Sequence, residues 1–339
     1  TISFWSSNLT TWQGGTPLIL CLLFASRIVD GASGGTAASA TAVLADISTP
    51  ENRAKTFGLI GAAFGFGFII GPFIGGLLTN INFTLPALIA TLFAIFNLIV
   101  VVIILPETHK INKDNYHLKK RKLNPISQLI NVFANPLINR LSLAFFLFFM
   151  AFNGLTSFLL LYLEEVFKWV GDEPVFFMIS KGLLPACSLA WVGVVAIIVQ
   201  GGLIGKLVKH FGEWRLTMAG IGFIFSGCLL LVVANEKNSI PVVFTACSLL
   251  AVGSGLVVPS LRAIISKKLT SSGQGAILGN LQGLQSLGSF LGIAASGLAY
   301  KELGPSSPFW LGMIVLIAVG TLIAGCPPIQ RKNTKIKSA

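Results

Sequence analysis

Apolar runs of about 20 residues, separated by short polar stretches, occupy most of this chain. Each is long enough to cross the hydrocarbon layer of a bilayer as a helix, which spans roughly 30 Å. The runs fall at about 17–43, 57–79, 85–105, 141–163, 183–208, 216–234, 240–261, 275–299 and 308–326, nine in all. They predict an all-α membrane protein. Residues 1–16 are polar and aromatic and fall short of a span. Pro106 stops the third run, and residues 106–136 form a long basic loop containing HLKKRKLNP. Residues 164–182 form an acidic, aromatic connection whose tail suits the membrane interface.

Composition agrees with that pattern. The 339 residues are 54% hydrophobic and 11% charged, and the mean hydropathy is +0.82. A soluble domain carries about 25% charged residues. The net charge of +12 does not point to nucleic acid, because the basic residues sit in short loops between spans. One set of loops holds Arg53 and Lys55, then Lys110, Lys113, Lys119, Lys120, Arg121 and Lys122. The same set continues with Lys206, Lys209 and Arg215, with Arg262, Lys267 and Lys268, and with the basic tail from Arg331. The alternate loops hold only Lys168, Lys181, Lys237 and Lys301. This alternation puts the central loop and the C-terminus in the cytoplasm of an inner or plasma membrane, with residues 1–16 starting outside.

The five cysteines are scattered, with no CxxC, and read as small apolar packing residues. His109, His117 and His210 fall in polar loops without ligand spacing, so no metal site is expected. No GxxxxGK[ST] phosphate loop, HExxH, GxSxG or cofactor fingerprint is present. Direct ATP drive, an enzyme and a cofactor therefore have no support.

The stretch 58–76, GLIGAAFGFGFIIGPFIGG, carries the most specific signal. Gly58, Gly67, Gly71, Pro72, Gly75 and Gly76 follow G-x8-G-x3-G-P-x2-G-G. Glycines let a neighbouring backbone approach closely in lipid, and Pro72 removes a backbone donor and predicts a kink. A single GxxxG would mean only helix packing. The whole pattern resembles the glycine-proline signature in the fifth helix of drug:proton antiporters of the major facilitator superfamily. Leu23-x3-Arg27-x2-Asp30-Gly31 looks like the fourth-helix signature of that family, with Asp30 where Gln is usual. Residues 45–58, ADISTPENRAKTFG, are similar to the loop that joins those helices, and Pro106-Glu107-Thr108 to the end of its sixth helix. The combination is most like the tetracycline-exporter branch. GKLVKHFGEWR at 205–215 is a weaker likeness to the basic loop motif, with Lys209 at the acidic position.

The chain also repeats itself. Gly58, Gly67, Gly71 and Gly76 recur at one constant interval as Gly279, Gly288, Gly292 and Gly297, and residues 17–105 correspond in span order to 240–326. Two parallel halves are the arrangement known for the superfamily. The spans at 141–163, 183–208 and 216–234 have counterparts only before residue 1, apart from the end of the last. The expectation is therefore a major facilitator fold with nine of twelve transmembrane helices present, in an N-terminally truncated chain; a true nine-span protein is the alternative. On this division residues 1–105 are the remainder of the N-terminal bundle, helices four to six of the family. Residues 106–136 are the central loop, 137–328 a six-helix C-terminal bundle, and 329–339 a basic tail.

Arg27 and Asp30 are charges deep in an apolar run, roughly 15 and 20 Å along it from Pro17. Their spacing puts them on one face, where they make either a proton relay or a self-neutralising pair. Resemblance to the family favours proton coupling, more clearly for Arg27. Asp46 and Arg53 match the family's loop positions and imply a cytoplasmic latch; the alternative is solvated loop charge. Candidate substrate-binding residues are polar groups inside spans, Asn153, Ser254, Gln282 and Gln285. Bonding between neighbouring helices is their other reading.

The function implied is proton-coupled efflux of small amphipathic, drug-like compounds by alternating access. A proton symporter for sugar or metabolite uptake and a non-transporting receptor on the same fold are the alternatives. The partners expected are a small-molecule substrate, protons and the lipid bilayer, without nucleic acid, and the protein is expected to be a monomer.

Overall fold

The computed structural model describes residues 36–49, 52–82, 84–104, 138–169, 171, 174–176, 179–180, 184–234, 239–268 and 274–326, with isolated positions between 21 and 31. Arg27, Asp30, the whole central loop and the basic tail lie outside the described residues, as do the side chains of a few helical positions, Pro72 among them. In hydrocarbon every backbone polar group has to be satisfied within its own segment, and helices do this. The chain accordingly forms α1 (Thr36–Asp46), α2 (Arg53–Ile81), α3 (Leu85–Ile104) and α4 (Asn139–Val166). After a short hairpin come α5 (Leu184–Ala196), a π-helical stretch (Ile197–Leu203) and α6 (Ile204–Phe211), which together make one rod. α7 (Glu213–Val233), α8 (Ser239–Lys267), α9 (Gln274–Leu303) and α10 (Ser307–Ala324) complete the chain.

Seven described helices are long and apolar enough to cross a membrane. α9 is not among them, because glutamine, asparagine and serine interrupt its apolar run. The acidic, aromatic connection contains a small antiparallel hairpin, β1 (Pro174–Phe176) paired with β2 (Ile179–Ser180).

Helix ends follow local chemistry. Asn82 is extended after α2, and its side-chain oxygen accepts from the Thr84 backbone N–H at 3.0 Å and the Thr84 hydroxyl at 2.9 Å, turning the chain into α3. Gly212 has φ +79°, a left-handed conformation that suits glycine, and separates α6 from α7 within a single residue. At one end of the bundle, Tyr162 donates to the Leu231 carbonyl at 2.9 Å, tying α4 to α7. At the other end, Trp214 donates to the Ile323 carbonyl at 3.2 Å, tying α7 to α10. Lys267 pairs with Glu213 at 2.5 Å, tying α8 to α7.

The main helix pairs are α7 with α8 and α4 with α9, and α4 also packs on α10. Glycine makes both main contacts close. A Cβ on Gly220 would lie 2.7 Å from the Gly253 carbonyl oxygen, joining α7 and α8. A Cβ on Gly292 would lie 2.0 Å from the Met150 carbonyl oxygen, and one on Gly288 2.6 Å from that of Phe146, joining α9 to α4. The matched glycines of the sequence repeat therefore do different work. A Cβ on Gly67 or Gly71, the counterparts of Gly288 and Gly292, would meet nothing within 4 Å among the described residues. α3 has no buried residue, and its exposed surface is apolar apart from Thr91 and Asn97, which suits lipid contact.

Substituting Gly292 with alanine should force α4 and α9 apart, at a cost of about 1–3 kcal/mol as for other overpacked sites. The melting temperature in detergent should fall by several degrees. Gly320→Ala, where nothing stands within 4 Å, should leave it unchanged. Equal melting temperatures for the two variants would show that the α4–α9 approach is looser than described.

Candidate functional site

Three groups of residues meet where α2 crosses the rod of α5, the π-helical stretch and α6. The first is a glycine seam. A Cβ on Gly58 would lie 2.6 Å from the Gln200 carbonyl oxygen, one on Gly61 1.5 Å from Gln200 Oε1, and one on Gly65 2.9 Å from the Gly193 carbonyl oxygen. Gly58, Gly61 and Gly65 recur at helical spacing, so α2 lays one smooth face along the rod. α8 offers Gly255 to the same side chain, whose Cγ would lie 3.1 Å from an added Cβ. Gln200 is thus clamped between two helices and only 9% exposed. It stands within the π-helical stretch IIVQGGL, where an extra residue per turn is accommodated, a feature common at functional sites. Pro259, inside α8, cannot donate to the Gly255 carbonyl four residues before it, so the backbone beside Gln200 is freed as well.

The second group is a clasp at one end of the seam. Arg53 opens α2 and is 8% exposed. Its Nη1 donates to the Ser266 carbonyl at 3.2 Å and to the Ser266 hydroxyl at 3.0 Å, near the end of α8. At the same end the Lys55 side chain lies against Gly205, and α1 packs on α9. Arg53 therefore does bridge helices, but to Ser266; Asp46 stands exposed at the end of α1.

The third group lies beside the clasp. Arg262 sits within α8 and is 9% exposed, not in a loop as the charge pattern suggested. The helix runs on to Lys267, past the point where the apolar run stops. Arg262 Nη2 donates to Gln285 Oε1 at 2.6 Å, and the guanidinium lies 5.9 Å from the centre of the Phe145 ring. Gln285 thus bridges α9 to α8.

The remaining polar candidates are more dispersed. Asn153 donates to the Phe149 carbonyl at 3.2 Å, and Ser254 to that of Ala251 at 3.2 Å, each within its own helix. Gln282 is partly buried on α9. Gly67 and Gly71 lie further along α2 on the face turned away from the seam, and a Cβ added at either would meet nothing within 4 Å among the described residues. Among the described residues no group of three histidines, cysteines or carboxylates could hold a metal ion.

Residues 2–292 match the sequence profile of the Major Facilitator Superfamily. The chain belongs to that superfamily. It is 29% identical over 316 residues to the class C tetracycline resistance protein of Escherichia coli, covering 93% of this chain and 75% of that one. It is 27% identical over 301 residues to multidrug resistance protein 2 of Bacillus subtilis strain 168, covering 88% and 71%. The crystal structure of the human organic anion transporter MFSD10 (TETRAN) superposes with a TM-score of 0.72 at 23% identity, covering 90% of this chain and 71% of that one. The superfamily chain is thus a multi-pass membrane transport protein, not an enzyme, and takes a small-molecule substrate.

Gln200 and Arg262 escaped the sequence reading. The signal for Gln200 was a Gln-Gly-Gly step inside an apolar run; for Arg262 it was an arginine within a turn of Pro259.

The seam makes a pairwise prediction. Gly61→Ala collides with the end of a side chain, whereas Gly58→Ala collides with a backbone carbonyl. Each should lower the melting temperature, and adding Gln200→Ala should restore Gly61→Ala but not Gly58→Ala. Rescue of both, or of neither, would contradict the seam geometry.

Proposed function

We propose that this chain is a secondary transporter that exports small amphipathic compounds in exchange for protons by alternating access. The observation that carries this reading is the close junction of α2 with the second bundle. α2 meets the rod through Gly58, Gly61 and Gly65, and Arg53 clasps α8 at Ser266. A barrier closed by short-range contacts and a clasp at one end is what one state of a rocking transporter requires. Loop charge assigns the clasped end to the cytoplasm. On this reading helices α1–α3 belong to the first bundle and α4–α10 to the second. The tetracycline and multidrug resistance proteins that it resembles favour export over uptake and over a receptor role.

Proton coupling falls to Arg27 and Asp30, which lie outside the described residues. A carboxylic acid in low dielectric next to a guanidinium has two opposing influences on its protonation, and a substrate can tip the balance. In everted membrane vesicles containing the full chain, Arg27→Gln and Asp30→Asn should each reduce proton-gradient-driven accumulation of tetracycline by about tenfold or more, a loss of about 1.4 kcal/mol or more of coupling. The amount of inserted protein should stay constant. Undiminished accumulation in both variants would rule out the relay.

A further inference from the structure

Two arginines are buried among the described residues, and their surroundings differ. Arg53 crosses to Ser266 and closes the cytoplasmic end. Arg262 reaches only neutral groups in the described structure, the Gln285 amide oxygen and the face of Phe145, and has no ion pair among the described residues. A guanidinium removed from water without a carboxylate is costly to keep. It carries five N–H donors in a planar fork suited to a carboxylate, and Gln285 occupies one of them.

We propose that Arg262 receives the negatively charged group of an amphipathic organic anion, which sets the substrate class of this transporter. The proposal rests on the transport reading above. Its first support is position. Gly255, Pro259, Arg262 and Ser266 recur at helical spacing and share one face of α8. Gly255 meets Gln200 and Ser266 meets Arg53, so this face is the seam. Arg262 therefore lies one turn behind the clasp, and opening the cytoplasmic end uncovers it where an exporter loads. The second support is an unsatisfied donor. The Ser142 hydroxyl is fully buried and has no hydrogen-bond partner among the described residues. It stands one turn before Phe145 on the same face of α4, the ring over which the guanidinium lies. The cation over Phe145 and the buried hydroxyl one turn before Phe145 on α4 both lack what an anion's oxygens supply. The third support is the apolar company, with Phe145 and Phe149 in ring contact at 4.8 Å, which suits a hydrophobic body attached to the charge.

The test uses the purified full chain and two xanthene dyes of similar shape, anionic fluorescein and cationic rhodamine 6G, followed by fluorescence polarisation in gluconate salts. Wild-type protein should bind fluorescein about tenfold or more tightly than rhodamine 6G, and Arg262→Gln should remove that preference. Gln285→Glu keeps the side-chain size and sets a carboxylate against Arg262, so it should remove the preference too, and it decides the matter if Arg262→Gln does not fold. Equal affinity of the wild type for the two dyes, or a fluorescein preference that survives Gln285→Glu, would overturn the proposal. Loss of the preference when chloride replaces gluconate would assign the site to a small inorganic anion and overturn the organic class. In vesicles, a proton gradient that moves rhodamine 6G but not fluorescein sinks the anion assignment and leaves export standing. A gradient that moves neither dye, with fluorescein binding still dependent on Arg262, sinks export and leaves the anion site.

Discussion

Two helices in hydrocarbon gain little by burying leucine against leucine, because lipid is equally apolar; close contact between backbones has to hold them together. Glycine supplies that contact wherever this chain packs most closely. Gly220 and Gly253 bring α7 to α8, Gly288 and Gly292 bring α9 to α4, and Gly58, Gly61 and Gly65 bring α2 to the rod that contains the π-helical stretch. The rest of the structure depends on these approaches. Arg53 reaches Ser266 only because α2 starts so close to α8, and Arg262 reaches Gln285 only because α8 and α9 both pack on helices held by glycine.

Much of the fold was legible because apolar run length is a strong signal in a bilayer. The runs at 85–105 and 308–326 lie within two residues of α3 and α10. What ran less true were the ends. The run at 240–261 stopped at Arg262, since a charge normally marks the interface, yet α8 continues to Lys267. The helix tolerates Arg262 because an amide oxygen and an aromatic face stand in for water. A hairpin at Pro174–Ser180 was equally hidden, since its residues read as an interfacial tail.

The site was legible in outline and not in its pairings. The glycine signature named α2 as the central helix, and Gly58 does meet a facing backbone. Gly67 and Gly71 carry the same pattern but turn to the opposite face of α2, where an added Cβ would meet nothing within 4 Å among the described residues, because a sequence motif does not say which face of a helix its partner takes. Spacing gave Arg53 a bridging role but not its partner, since Ser266 lies more than two hundred positions away on another element. Asn153 and Ser254 looked available in sequence and turn back onto their own helices, the usual refuge of a polar side chain within one turn of a carbonyl.

The seam and the clasp suit different parts of a cycle. Glycine contacts against backbone are short-ranged and shape-dependent, so they either interlock or are lost together, which makes the interface bistable rather than continuously deformable. The Arg53 clasp adds hydrogen bonds from a charged donor, each worth about 1.5–3 kcal/mol. A contribution of that size is enough to favour the clasped arrangement and small enough to be overcome by a ligand that binds an open state more tightly, since a shift of a two-state equilibrium needs only a differential affinity of a few kcal/mol. A buried cation one turn behind the clasp is placed where such a ligand would gain most from opening. On the proposed transport reading, the same arginine that escaped the span reading supplies a physical reason for the clasped end to open when substrate is present.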